Sequence, residues 1–213
     1  MLPDFQRRLW PKLGAVPGFF VLYGGTALAL RLGHRQSVDF DFFSARSFGP
    51  EELRSRLPFA ADSEVVQVEK NTLTIRCPGG DGVLVSFLGG LHASPIELPD
   101  ACADTGLRVA GLRDLLAAKL NVVFQRAEAK DYLDVHALLN TGLTLSEGLA
   151  TARAVYGPTF NPTLPLKALT FFEDGDLPSL PHRIQQDLTE AVRRVVNIPE
   201  IPPTGFRIGE HYG

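Results

Sequence analysis

The stretch LYGGTALALRLGHRQSVDFDFF, residues 22–43, holds the transitions on which the fold turns. It opens by closing an apolar run, Phe19 to Tyr23, that reads as a short buried strand. Gly24 and Gly25 break the run, and TALALRL then places apolar residues at helical spacing. In SVDFDFFS polar and apolar residues alternate, the period of a second strand. Asp39 and Asp41 stand two apart on that strand, so both side chains leave the same face, while Phe40, Phe42 and Phe43 tie the segment to a core. Isolated buried carboxylates are costly, so such a pair is protonated, paired with cationic groups or holding a cation.

Working outward, GPEELRSRL predicts a helix with Pro50 in its first turn and acidic residues where the helix dipole favours them. EVVQVEKNTLTIRCP and GVLVSFLGG read as two further strands separated by the turn GGDG. From about Val109 the pattern turns helical. GLRDLLAAKLNVVFQR, KDYLDVHALLNTG, SEGLATARAVYG, LPLKALTFFED and PHRIQQDLTEAVRRVV all read as amphipathic helices, and the proline-rich tail IPEIPPTGFRIGEHYG reads as irregular. The expected architecture is α+β: residues 1–108 form a mixed β-sheet with flanking helices, and residues 109–213 form a helical domain with an irregular tail.

Composition narrows the class. The 213 residues are 45% apolar and 21% charged, ordinary for a globular chain of one large or two small domains. With a net charge of −3, any polyanionic partner must be held by a local basic surface and not by a global field. Cys77 and Cys102 are too few for a disulfide framework and lack metal-site spacing, which suits free thiols in a reducing compartment. The N-terminal residues show no secretory h-region, and the longest apolar runs fall short of the ~20 residues a bilayer span needs. The chain is therefore expected to be cytoplasmic, with no membrane partner.

Several residues admit a chemical reading beside a structural one. The Asp39 and Asp41 pair suits a hard cation such as Mg²⁺, which takes carboxylates together with substrate phosphates. Gly24, Gly25 and Thr26 form either a plain tight turn or an anion site where backbone approaches a phosphate, with Thr26 capping the helix or touching the ligand. Lys119 shares helical spacing with Leu112, Leu115, Leu116 and Val123, so its head either snorkels to the rim or meets an anion. Asp131 and Asp134, three apart on a helix, are either a surface pair or a base with its orienting partner. His34, His92, His136, His182 and His211 lack zinc-ligand spacing. Arg108, Arg113, Arg126, Lys130 and Arg153 form either a solvated helical surface or an RNA-facing one.

A Gly-Gly-Thr turn, one helix and a strand bearing DFD resemble the nucleotidyltransferase fold related to DNA polymerase β. The likeness sharpens to the AbiEii/AbiGii toxin-like nucleotidyltransferases, whose Arg-x-Ser-x-Asp-x-Asp pattern is matched by RQSVDFD from Arg35 to Asp41. Downstream, Lys119 in LLAAKL, Arg126, and KDYLD with Asp131 and Asp134 resemble the subgroup's helical elements, although Lys130 stands where arginine is usual. LKALTFFED resembles its late helix.

The resemblance implies an enzyme moving an NMP from an NTP to a hydroxyl acceptor. It implies one or two Mg²⁺ ions on Asp39 and Asp41, phosphates on Gly24, Gly25 and Thr26 with help from Arg35, Ser37, Lys119 and Arg126, and Asp131 as base supported by Asp134. It further implies an RNA acceptor such as a tRNA 3′ end, an antitoxin protein as partner, and a toxin–antitoxin or phage-defence setting. The wider superfamily adds a third carboxylate from a later strand. Here the candidate position holds Ser86, which keeps a catalytically weak or inactive nucleotide-binding module as the alternative, with a structural interaction protein as a third reading.

Overall fold

The computed structural model describes residues 2–79, 82–202 and 204–210; the expected GGDG turn at Gly80 and Asp81, and His211, lie outside the described residues. The chain divides into two compact units, Met1–Gly111 with Gly205–Gly213, and Leu112–Thr204.

The first unit is built on a seven-stranded mixed sheet: β1 (Val21–Tyr23), β2 (Phe40–Phe43), β3 (Glu64–Glu69), β4 (Thr72–Cys77), β5 (Val83–Leu88), β6 (Asp100–Ala101) and β7 (Arg108–Val109). Their spatial order is β3-β4-β5-β2-β1-β7-β6. β1 and β2 are antiparallel neighbours, whereas β2 runs parallel to β5, and β1 parallel to β7. Helices α1 (Asp4–Leu9), α2 (Gly24–Leu32) and α3 (Pro50–Arg56) belong to this unit. Alternation along the strands buries Phe40, Phe42, Leu73, Ile75, Val85 and Phe87 completely, with the Phe42 and Phe87 rings stacked 5.2 Å apart. Six fully buried side chains of this size bring roughly 10–15 kcal/mol of favourable transfer free energy to that layer. The odd-numbered partners Asp39, Asp41 and Phe43 are left half-buried on the opposite face.

Some expectations need correction. EVVQVEKNTLTIRCP is two strands, β3 and β4, joined at Lys70 and Asn71; Asn71 takes a left-handed φ of 60°, a conformation Asn tolerates in place of the glycine that would have signalled the turn. The boundary after residue 108 moves to Gly111, because β7 is a sheet member and Ala110 N–H still donates to Leu22 O at 3.0 Å. The tail does not end with the helical unit: Ala45 N–H donates to Ile208 O at 2.6 Å and Ile208 is buried, so residues 205–210 return to the first unit.

The second unit contains α4 (Leu112–Leu120), α5 (Ala129–Leu139), α6 (Leu145–Tyr156), α7 (Thr163–Ala168) and α8 (His182–Arg193). Two expected helices are shorter than read: α4 stops at Leu120 in a run of turns, and α7 stops before TFFED. α6 begins with a capping box between Thr144 and Glu147. Its Gly148 lets α4 approach closely, since a Cβ there would stand 2.6 Å from Leu116 and 2.9 Å from Leu120. Among the described residues, no helix is long and apolar enough to cross a membrane.

Candidate active site

β1 delivers its last residue, Tyr23, opposite Asp41 of β2, so the turn that follows β1 and the carboxylate sit side by side by strand register alone. The chain then enters α2 directly at Gly24, with Tyr23 as a cap that contributes no side-chain bond. The first-turn N–H groups therefore have no intrahelical acceptor, the usual basis of an anion site at a helix start.

The two glycines are required by what faces them. Gly24 has φ 72°, and a Cβ there would run into the Asp41 carboxylate, with Cγ 3.2 Å away. A Cβ on Gly25 would stand 2.6 Å from Arg35 Nη2 and 2.8 Å from Ser37 Oγ. Along 35–41 the half-buried Arg35, Ser37, Asp39 and Asp41 alternate with exposed Gln36 and Val38 and buried Phe40, giving four polar side chains at every second position. The structure thus brings Asp41, Arg35 and Ser37 to the glycine turn. Gly24→Ala is expected to cost about 1–3 kcal/mol through its positive φ alone, and more through the Asp41 collision. A thermal melt checks this against Gly18→Ala, where a Cβ meets nothing within 4 Å.

Asp39 sits on the β5 side, its Oδ1 accepting from Leu84 N–H at 3.3 Å. Next to Asp41 in the parallel register is Ser86, and beyond it Thr74, whose hydroxyl donates to Ser86 Oγ at 3.3 Å. The expected third acidic position is therefore occupied in register by a hydroxyl already joined to its neighbour. The Asp41 carboxylate beside Gly24, with Asp39 two residues away on the same face, offers oxygen donors that fit a magnesium ion drawing its remaining ligands from water and phosphate. Among the described residues no group of three or more His, Cys, Asp or Glu is placed to hold a metal.

Thr26 is corrected. It lies inside α2 and is fully buried, and its hydroxyl donates to Asp39 O while accepting from Gln6 Nε2 at 3.3 Å. Its side chain neither caps the helix nor faces a ligand; its backbone N–H is what remains for a phosphate.

In the helical unit, Lys119, Arg126, Asp131 and Asp134 form one ionic cluster. Lys119 Nζ lies 2.6 Å from both Asp131 Oδ1 and Asp134 Oδ2, and Arg126 Nε donates to Asp131 Oδ2 at 2.8 Å. Both aspartates are wholly buried, the Lys119 side chain is 9% exposed, and Arg126, at 46%, is the reachable cation. Burial pushes the Asp131 carboxyl upward, but the Arg126 hydrogen bonds and the Lys119 charge outweigh it and hold the group below the usual carboxylate range. Asp131 as the base is therefore corrected: an acid with a lowered pKa, no solvent contact and both oxygens engaged is a poor proton acceptor. It orients the two cations.

Two contributing residues carry no local sequence signal. Asp176 Oδ1 accepts from Ala129 N–H at 2.6 Å, satisfying the start of α5 from 47 residues away. Gln6, on α1, is buried beneath Thr26.

A mixed sheet with a glycine turn abutting the Asp41 carboxylate matches the expected nucleotidyltransferase-like fold. Solved structures share that fold: a candidate nucleotidyltransferase from H. pylori is similar with a TM-score of 0.57 at 19% identity, over 89% of this chain and 91% of that one. The nucleotidyltransferase toxin MenT4 of Mycobacterium tuberculosis is similar with a TM-score of 0.59 at 15% identity, over 88% and 82%. A curated relative, the uncharacterised protein aq_aa25 of Aquifex aeolicus (strain VF5), is 31% identical over 159 residues, 73% of this chain and 75% of its own. The chain belongs to the nucleotidyl transferase AbiEii toxin family of type IV toxin–antitoxin systems, which matches residues 15–202.

Proposed function

We propose that this nucleotidyltransferase is Mg²⁺-dependent and moves an NMP from an NTP to a hydroxyl of RNA, such as a tRNA 3′ end, as the cytoplasmic toxin of a pair with an antitoxin protein. The observation that supports it most is the Asp41 carboxylate lodged against Gly24, on a strand paired to the one that leads into the turn. Asp39 and Asp41 would hold one or two Mg²⁺ ions. When bound, the metal supplies charge neutralisation at the α-phosphorus and the departing pyrophosphate. The N–H groups of Gly24, Gly25 and Thr26 bind phosphate oxygens, and Arg35 and Ser37 flank them. In the helical unit Lys119 and Arg126 are assigned to phosphate, with Asp131 and Asp134 as positioning residues. The acceptor oxygen bonds to the α-phosphorus as the P–O bond to pyrophosphate breaks, the hydroxyl proton passes to solvent water, and positioning with electrostatics carries most of the acceleration.

The test incubates the protein with each α-labelled NTP, Mg²⁺ and total RNA, beside Asp39→Ala. Label in RNA from the wild type alone is expected, and chelation should remove it. NTP-dependent thermal stabilisation without label in RNA would instead favour the nucleotide-binding module, the reading that Ser86 supports.

A further inference from the structure

Gln6 belongs to none of the motifs above, yet its side chain is completely buried. Its amide Nε2 donates to Thr26 Oγ1 at 3.3 Å, and the Thr26 hydroxyl donates to the backbone carbonyl of Asp39. The polarity of this relay is forced. A carbonyl oxygen only accepts, so the single hydroxyl proton of Thr26 is committed to Asp39, and whatever faces Thr26 from α1 must be a donor. An amide meets that demand, whereas a carboxylate or an apolar side chain does not. Gln6 Oε1, moreover, is buried with no hydrogen-bond partner among the described residues, a desolvation penalty that an apolar residue of the same length would avoid.

We propose that Gln6 is a positioning residue for the metal-binding carboxylates. Through Thr26 it locks the backbone at Asp39 to the first turn of α2. The carboxylate pair and the N–H groups of Gly24 and Gly25 then keep one mutual geometry before any ligand arrives. The relay joins α1, the phosphate turn and the entry to β2, three elements separated in sequence by 20 and 13 residues. The inference rests on the reading of Asp39 and Asp41 as the Mg²⁺ ligands. Its functional consequence is that geometry at this junction sets metal affinity and turnover, since misplacement by about 1 Å can cost on the order of 100-fold in rate.

The experiment measures Mg²⁺ binding by calorimetric titration in the presence of NTP, beside the Mg²⁺ dependence of NMP transfer, kcat and the NTP KM, for wild type, Gln6→Met, Thr26→Val and the double variant. Ile75→Val, a mild core change elsewhere in the sheet, serves as the stability control. Gln6→Asn, which keeps the amide but shortens its reach, replaces Gln6→Met if the latter does not fold. Gln6→Met should raise the half-saturating Mg²⁺ concentration about tenfold in binding and in transfer and lower kcat about 10–100-fold, with the NTP KM at saturating Mg²⁺ changed less than about twofold. The double variant should be no worse than the more impaired single one, because both cut the same relay. Ile75→Val should leave the Mg²⁺ dependence untouched. Wild-type Mg²⁺ dependence and kcat in Gln6→Met, or multiplicative losses in the double variant, would overturn the relay while leaving the proposed function standing. A wild type that neither binds NTP with Mg²⁺ nor transfers label would overturn both.

Discussion

An Asp41→Asn protein is expected to melt close to the wild type and to transfer nucleotide at least about 10²–10³-fold more slowly. Asparagine preserves the shape of the side chain and its fit beside Gly24, so the register of β1 against β2 and the φ of the glycine are undisturbed. The negative charge goes, and one acceptor oxygen becomes an NH₂ donor. At a half-buried position such an isosteric change alters stability by about 0.5 kcal/mol or less. On the proposed function the chemical step, in contrast, loses one of the two charges that would hold the cation, and the Ser86 hydroxyl one strand away supplies no charge in its place. Single-turnover transfer beside a thermal melt separates the two effects. Parallel loss of stability and activity would mean that Asp41 serves the fold.

The opposite pattern is expected for Lys119→Met, where the largest effect falls on stability. Removing this ammonium leaves Asp131 and Asp134, both wholly buried, with Arg126 as the cation still bonded to Asp131. Breaking a buried ion pair from one side costs about 3–5 kcal/mol. The pH dependence carries a definite sign. Because its folded pKa is lowered, Asp131 contributes stability that is fully present above the ordinary carboxylate value near 4 and is lost as pH falls through the lower folded value. Without Lys119 that depression shrinks, so the variant has less of this stability to lose in acid. The gap between wild type and Lys119→Met, read from urea unfolding, should hold from pH 7 down to about pH 4 and narrow as pH falls below that. A gap that stays constant below about pH 4 as well would place the cost in lost packing of the lysine stem and not in the charge cluster.

What the sequence makes legible depends on distance along the chain. The turn at Gly24 and the polar positions Arg35, Ser37, Asp39 and Asp41 lie within one short segment, so local alternation suffices to align them, and the strand pairing supplies the rest. Burial was harder to read: an aspartate pair three apart on a helix has the same pattern whether it faces water or, as Asp131 and Asp134 do, a lysine in the interior. For the same reason the base role expected of Asp131 did not survive the geometry. The β3–β4 hairpin was hidden because Asn71 takes the left-handed conformation without a glycine to announce it. β6 and β7, two residues each, are below the length at which periodicity means anything. Gln6 and Asp176 act on partners 20 and 47 residues away, and no local spacing reports such contacts.

Membership of the AbiEii family fixes the kind of chemistry, and the two acidic sites differ in burial. Asp39 and Asp41 are half-buried, whereas Asp131 and Asp134 in the cluster around Lys119 are wholly buried. Variants of the first should report on catalysis and variants of the second on folding as well.

The most direct measurement is calorimetric titration of the wild type and of an Asp39→Asn, Asp41→Asn double variant with ATP, GTP, CTP and UTP, each with and without Mg²⁺. Saturable heat with at least one nucleotide, present only with Mg²⁺ and abolished in the variant, is the predicted result. Equal binding by wild type and variant, or no heat from any of the four with the wild type, would contradict a shared grip on metal and triphosphate by the paired aspartates and the glycine turn.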